Sequence, residues 1–331
     1  MSSKLKRISG VCPAVVVPYT DDSCNEIDQE AFRRHVAYLV EQDIGALVVG
    51  AHASEIAYLD PNERATLIAI AREEANGRVP VVGGVNSDST RDAIRQGLEA
   101  KQAGADAVLF TPPSIPAWST LTDAELLVTH YRAFDEAVDI PIIMFAAPLP
   151  MFGNQFYLNP ETAQRLVDAV ENIVACKISA EWDIGGFIRV TKAIKEIRDI
   201  GSLHAGGACQ FGSYLYGSDG ILSGGSNFSC EDDIATMQAV QEGDLARARE
   251  ISDSWNEVWD IVYGYQIGTP VVYFHYRYKI ATWLLGHIDS PFMRSPQVLP
   301  PIDDIRALHE ALERVGKAPV HHPDELRLVA A

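Results

Sequence analysis

The feature that most restricts the fold is an alternation repeated eight times: a short apolar run rich in Val and Ile, a polar or Gly-rich stretch, then a longer segment with helical spacing. The runs are VCPAVVVP from Val11, GALVVGA from Gly45, VPVVGGV from Val79, DAVLFTP from Asp106, IPIIMFAAP from Ile140, IVACKIS from Ile173, SLHAGG from Ser202 and DGILSGG from Asp219. Between them, segments such as DQEAFRRHVAYLVEQ, PNERATLIAIAREEA, STRDAIRQGLEAKQAG and PETAQRLVDAV repeat apolar residues at three and four positions and open on Asp, Pro or Ser. Strands that are apolar on both faces and separated by amphipathic helices form a parallel sheet covered by helices. Eight such units in ~220 residues match a (β/α)8 barrel, an α/β TIM barrel, better than an open doubly wound sheet. The interval after SLHAGG is short, so its helix is expected to be compact, near QFGSYLYG.

After Ser229 the pattern turns to helices only: EDDIATMQAVQEG, DLARAREISDSWNEVWDIVYG, TPVVYFHYRYKIATWLLG and DDIRALHEALERVG. The first serves as the eighth barrel helix, which leaves about three for a C-terminal helical lobe. The expected division is a barrel over 1–242, a helical lobe over 243–320 and a tail over 321–331. The aromatic-rich VVYFHYRYKIATWLL is expected to pack on the barrel or on a subunit neighbour rather than to bind a cofactor. The final HHPDELRLVAA reads as a tail whose paired histidines are solvated.

Charge and cysteine usage narrow the function. The 331 residues carry 27 Lys and Arg against 45 Asp and Glu, a formal net charge of -18. Nucleic acids and anionic membranes would therefore meet repulsion, not the basic footprint they need. The five cysteines, Cys12, Cys24, Cys176, Cys209 and Cys230, lie far apart with no zinc-like spacing, which fits reduced thiols. The N-terminal MSSKLKRISG has no apolar core of signal-peptide type behind it, and no run approaches the ~18 apolar residues of a membrane helix. The expectation is a cytoplasmic protein.

In such a barrel the C-terminal ends of the strands form the working face. Lys177 falls at the end of the sixth run, where it should meet the ends of the second (GAHASE), fifth (FAAP), seventh (HAGG) and eighth (SGGS). One reading is an ion pair with Glu55 or Glu181. The other follows from burial: an apolar mouth disfavours the ammonium form and lowers the pKa from ~10.4. The neutral amine can then attack a ketone and form a Schiff base. Position and surroundings alone leave both readings open.

The order of GAHASE after the second strand, PP after the fourth, FAAP after the fifth, Lys177 after the sixth and GSDGILSGGSN around the eighth resembles the family of dihydrodipicolinate synthase and N-acetylneuraminate lyase. The likeness includes RVPVVGGVNSDSTRDAI and AGADAVLFTPP, and runs from about Val11 into the C-terminal helices. It implies a class I lyase acting on pyruvate or another 2-oxo acid, with Lys177 in the place of the imine-forming lysine. Aldol cleavage, condensation and dehydration of a 2-oxo-3-deoxy acid share that intermediate and need no metal or redox cofactor. The resemblance also implies a homo-oligomer, a tetramer or a dimer.

The departures from the family pattern are specific. Ala51, His52, Ala53, Ser54 and Glu55 stand where the family has Gly-Thr-Thr-Gly-Glu. Backbone N–H groups of this turn, around Ala53, Ser54 and Glu55, are expected to hold the 2-oxo acid carboxylate. Phe145 replaces a tyrosine that acts as general acid/base, and within SIPAW neither Ile115 nor Trp118 offers the second expected hydroxyl. The arginine that follows the fifth-strand proline in true dihydrodipicolinate synthases is missing from PLPMFG. His52 either takes over proton transfer or only lines the pocket; His204 is a weaker candidate. Ser223 and Gly224 are expected at the substrate from the eighth strand, and Phe145, Ile115 and Trp118 suggest an apolar or aromatic aldehyde half. The reading is a divergent aldolase, with a dehydratase and a catalytically inactive binding barrel as the alternatives.

Overall fold

The computed structural model describes residues 5–113, 124–146, 158–180, 183–264 and 274–326. The eight expected strands are β1 (Gly10–Pro13), β2 (Leu47–Val49), β3 (Val81–Val85), β4 (Ala107–Phe110), β5 (Ile142–Ala146), β6 (Ile173–Ile178), β7 (Gly201–His204) and β8 (Gly220–Ser223). Each pairs in parallel with the next from β2 to β8, and β8 returns to β1 with Gly10 opposite Gly220. A bridge from Ala14 to Val48, in which Val15 N–H donates to Val48 O at 2.9 Å, closes the seam between β1 and β2. The chain is a (β/α)8 barrel, and a closed ring leaves no sheet edge open to another chain.

The barrel helices are α1 (Gln29–Val40), α2 (Pro61–Ala75), α3 (Thr90–Gln102), α4 (Ala124–Val138), α5 (Pro160–Ala169), α6 (Ile184–Lys195), α7 (Gln210–Leu215) and α8 (Cys230–Glu242). The compact helix expected after the seventh strand is the six-residue α7. Helix starts follow local chemistry: Asp60 accepts from Asn62 and Glu63 N–H, while Glu63 accepts from Asp60 N–H in return. Among the described residues no helix is long and apolar enough to cross a membrane.

Strand side chains divide by the period of two. Cys12, Val48, Val82, Leu109, Ile143 and Leu222 fill the barrel, while Val11, Leu47, Val81, Phe110, Ile142 and Ile221 pack beneath the helices. In β6 the alternation is interrupted. Ile142 pairs with Ile173 but Ile143 pairs with Ala175, so Val174 is an extra residue bulged out of the ladder. Ile173 faces the helices, and strict alternation from it would send Lys177 there too. The bulge reverses the phase, so Ala175 packs into the barrel and Lys177, two residues on, takes the inward phase.

Beyond α8 the described residues form four helices, where about three were expected: α9 (Leu245–Ser254), α10 (Asn256–Tyr263), α11 (Phe274–Leu284) and α12 (Ile302–Arg314). The helix expected across 245–263 breaks at Trp255, whose buried indole lies 5.8 Å from Trp259 and 6.0 Å from Phe228. Residues 321–326 are docked rather than a free tail: His321 stacks on Trp283 at 4.8 Å, and Pro323 and Leu326 are buried.

One buried ion pair ties the lobe to the barrel. Lys279 Nζ on α11 donates to Glu55 Oε1 at 2.9 Å, just beyond β2, and both side chains are almost wholly buried. Glu55 Oε2 also accepts from Tyr19 Oη at 3.2 Å and Arg294 N–H at 3.0 Å, and Lys279 donates to Phe292 O. Burial pushes the Lys279 ammonium below its ordinary pKa, and the Glu55 charge offsets part of that. Above this pair the Tyr278 ring rests on Gly224, where a Cβ would come within 2.5 Å of the ring. Only glycine lets the helix sit so close.

Removing one member of the pair strands the other charge. Glu55→Gln or Lys279→Met should each cost about 3–5 kcal/mol in urea unfolding, and the double variant should recover most of that loss. A second expectation concerns acid. Burial holds His35 down to about 3, and His130 and His204 to about 4. Unfolded, they take up protons near pH ~6.5, so stability is intact above that pH and falls toward pH ~4 by about 1.4 kcal/mol per unit for each histidine. Urea midpoints at about pH 7 and about pH 5 will report the loss, and His204→Asn should remove one histidine's share of it, about 2 kcal/mol. The Asn oxygen can still accept Gly206 N–H, as His204 Nδ1 does at 3.0 Å.

Candidate active site

The C-terminal face of the barrel and the start of α11 bring three nitrogen-bearing side chains to one place. Lys177 stands on β6 opposite Phe145 of β5 and Leu203 of β7, with its Nζ 4.8 Å from the centroid of the Phe145 ring. That ring is buried and forms an apolar floor whose face attracts a cation. Lys177 itself is half-buried, open to the mouth.

The second component comes from the turn after β2. His52–Ser54 forms one 3-10 turn, closed by Ser54 N–H to Ala51 O at 3.0 Å and by Ala51 N–H to Ser54 Oγ at 3.1 Å. Glu55 follows in the left-handed region at φ 59°, which turns the chain away and sends its carboxylate down to Lys279. His52 is left at the mouth, 6.1 Å from Phe145 between ring centroids. Burial, and then the charge of Lys177, push its pKa down to about 4. The imidazole is neutral near pH 7.

The third component is His275, at the start of α11, which sequence reasoning passed over as part of a packing helix. Its ring lies 6.1 Å from that of His52 and within 16° of parallel, with Phe274 at 3.8 Å. Burial first, then His52 and Lys177, hold its pKa well below the ordinary value. The spacing explains its arrival. Glu55 pairs with Lys279; three residues before the one is His52, and one helical turn before the other is His275. No local signal in the sequence discloses that pairing, so none disclosed His275.

The other expected residues have different places. Glu55 is not at the substrate mouth and does not pair with Lys177, because its carboxylate is engaged by Lys279, Tyr19 and Arg294 N–H beneath the turn. Ser54 is fully buried and its hydroxyl closes the turn. Ala53 and Gly224 form the seat for α11: a Cβ on Gly224 would meet Ala53 Cβ at 2.7 Å and the Tyr278 ring at 2.5 Å. Ser223 Oγ accepts from Gly225 N–H at 3.0 Å and so serves the turn. His204 faces away from the mouth, edge-on to Phe187 of α6, with Nδ1 accepting from Gly206 N–H. Ile115, Trp118 and Glu181 lie outside the described residues.

The cluster joins one primary amine to two neutral imidazoles over a phenyl floor. Such a set suits nucleophilic addition to a carbonyl, with hydrogen-bonding groups beside the new bond. Among the described residues no three His, Cys, Asp or Glu side chains converge as metal ligands.

The family model described as the dihydrodipicolinate synthetase family matches residues 7–312. The 4-hydroxy-tetrahydrodipicolinate synthase of Methanopyrus kandleri is 30% identical over 315 residues, 95% of this chain and 98% of that protein. That of Maridesulfovibrio salexigens is 31% identical over 284 residues, 86% of this chain and 90% of its own. The dihydrodipicolinate synthase structure from Thermotoga maritima superposes with a TM-score of 0.81 at 26% identity, covering 93% of this chain and 99% of that one. A prophage protein of E. coli in the dihydrodipicolinic acid synthase family, solved with pyruvate, shares the fold with a TM-score of 0.83 at 20% identity, over 94% and 99% of the two chains. Members of the family are pyruvate-dependent, Schiff-base-forming lyases of the aldolase type. By the span of the family match and the identity to its relatives, this chain belongs to the dihydrodipicolinate synthetase family.

Proposed function

We propose that the protein forms a Schiff base between Lys177 and pyruvate or a related 2-oxo acid, and uses it for aldolase-type cleavage or condensation. The observation that carries this reading is the inward Lys177 at the end of β6, half-buried beside the Phe145 ring. The neutral amine adds to the ketone carbon, the oxygen leaves as water, and the uptake of one proton from solvent leaves a protonated imine. In cleavage, the C3–C4 bonding pair flows into the imine to give an enamine. The C4 hydroxyl loses its proton and becomes the carbonyl of the departing aldehyde. Protonation of the enamine at C3 and hydrolysis of the imine release the 2-oxo acid and restore Lys177. Condensation runs the same steps backwards.

His52 stands beside the bonds that change. Its neutral ring, with a pKa of about 4, can donate and accept hydrogen bonds at working pH. It is the side chain this reading assigns to the reacting oxygen, where Phe145 has none to offer. Proton uptake by His52 should therefore leave the rate flat through neutrality.

The test is borohydride reduction in the presence of pyruvate, followed by intact and peptide mass spectrometry. A reduced pyruvate adduct on the peptide containing Lys177, absent in Lys177→Met, is the expected result. An unmodified wild-type chain, with pyruvate and with larger 2-oxo acids, would sink the reading in favour of a barrel that only binds.

A further inference from the structure

The mouth holds a feature that imine formation alone does not use. Two imidazoles from distant parts of the chain, His52 after β2 and His275 on α11, lie parallel at 6.1 Å beside the lysine. Both feel the Lys177 charge, so all three groups share one site. Once Lys177 carries the 2-oxo acid, its charge belongs to that acid and its carboxylate.

Among the described residues, Lys177 is the cation whose charge reaches both imidazoles. Lys279 and Arg294, the basic groups nearest the turn, are paired with Glu55 and Glu63. In the sequence, the segments that follow β4, β5 and β6 and precede α11, residues 114–123, 147–157, 181–182 and 265–273, contain no lysine, arginine or histidine. An anionic group set against these imidazoles would have to draw a proton onto a ring that burial keeps neutral.

The walls are aromatic. Phe145 lies 6.1 Å from His52, and Phe274 lies 3.8 Å from His275 with Tyr278 edge-on at 5.6 Å behind it. Neutral imidazoles on such walls offer N–H donors to a carbonyl or hydroxyl oxygen and flat apolar surface to an adjoining ring. We infer that the acceptor half of the substrate is an uncharged aldehyde with an aromatic or conjugated body, bound beside His52 and His275, and that His275 sets the choice against anionic aldehydes. This rests on the imine reading of Lys177.

The experiment compares kcat/KM for condensation of pyruvate with benzaldehyde and with succinic semialdehyde, an anionic aliphatic aldehyde. Wild type, His275→Asn and His275→Arg are measured, and each is also tested for the borohydride-trapped pyruvate adduct. The wild type should favour benzaldehyde by about a hundredfold or more, His275→Asn should keep that preference, and His275→Arg should erode it by about tenfold or more. The inference is overturned if the wild type favours the anionic aldehyde or turns over neither. It is equally overturned if a folded His275→Arg, still trapped by pyruvate, leaves the ratio unchanged. If His275→Arg fails to fold by circular dichroism, the wild-type ratio decides alone. Absence of the adduct in wild type overturns the imine reading itself, which separates that failure from a failure of the acceptor assignment.

Discussion

The Glu55–Lys279 ion pair is the constraint on which the mouth depends. Two opposite charges in a dry interior attract strongly only when both are held in place and their remaining hydrogen-bonding positions are filled. Tyr19, the Arg294 amide and the Phe292 carbonyl fill them here. The pair fixes more than itself. It locks the left-handed residue that ends the β2 turn against the middle of α11, so the residues one turn earlier on each side are brought together. His52 and His275 face each other for that reason, and the arrangement at the surface is inherited from the arrangement beneath it.

A second constraint acts on the lysine. Sheet alternation is strict, and a residue that must face inward can be reached either by starting the strand in the right phase or by inserting a bulge. β6 takes the second course at Val174. The strand begins in register with its outward neighbours, packs Ile173 against the helices, and still delivers Lys177 to the mouth beside Phe145. Phe145 in turn makes that mouth less polar than a tyrosine would, and two uncharged imidazoles share the space with one amine. Among the described residues, Lys177 is the charge that acts on both rings.

These constraints differ in how far the sequence discloses them. The eight strands and their helices were legible because a buried parallel strand needs apolar residues on both faces and a barrel helix needs a stripe, and both leave local periodicities. Even the six-residue α7 followed from a short interval. Lys177 was legible as the odd residue at a strand end. The break at Trp255 was not, because the helical period runs through it and the packing of Trp255 against Trp259 and Phe228 shows only in three dimensions. The role of Glu55 was misread for a related reason: its partner lies 224 residues away and inside a helix whose aromatics suggested packing alone. His275 was hidden by the same distance. The Ser54 hydroxyl closes its turn, and Ala53 and Gly224 seat α11 closely, contacts that residue type alone does not disclose.

The length of that loop between Glu55 and Lys279 has a consequence for how the molecule comes into being. The barrel can be threaded strand by strand as the chain emerges, since each strand pairs with its predecessor. The anchoring acid, however, is made early and its cation late, after all eight strands, α9, α10 and the first turn of α11. Until the C-terminal third docks, a carboxylate destined for the interior has no counter-ion and stays hydrated, which holds the β2 turn open to water. Closing so long a loop adds little further entropy cost per residue but delays the event. Maturation of the mouth is therefore a terminal step in biosynthesis: a nascent chain can own a nearly finished barrel while the lysine at its centre still lacks half of its surroundings.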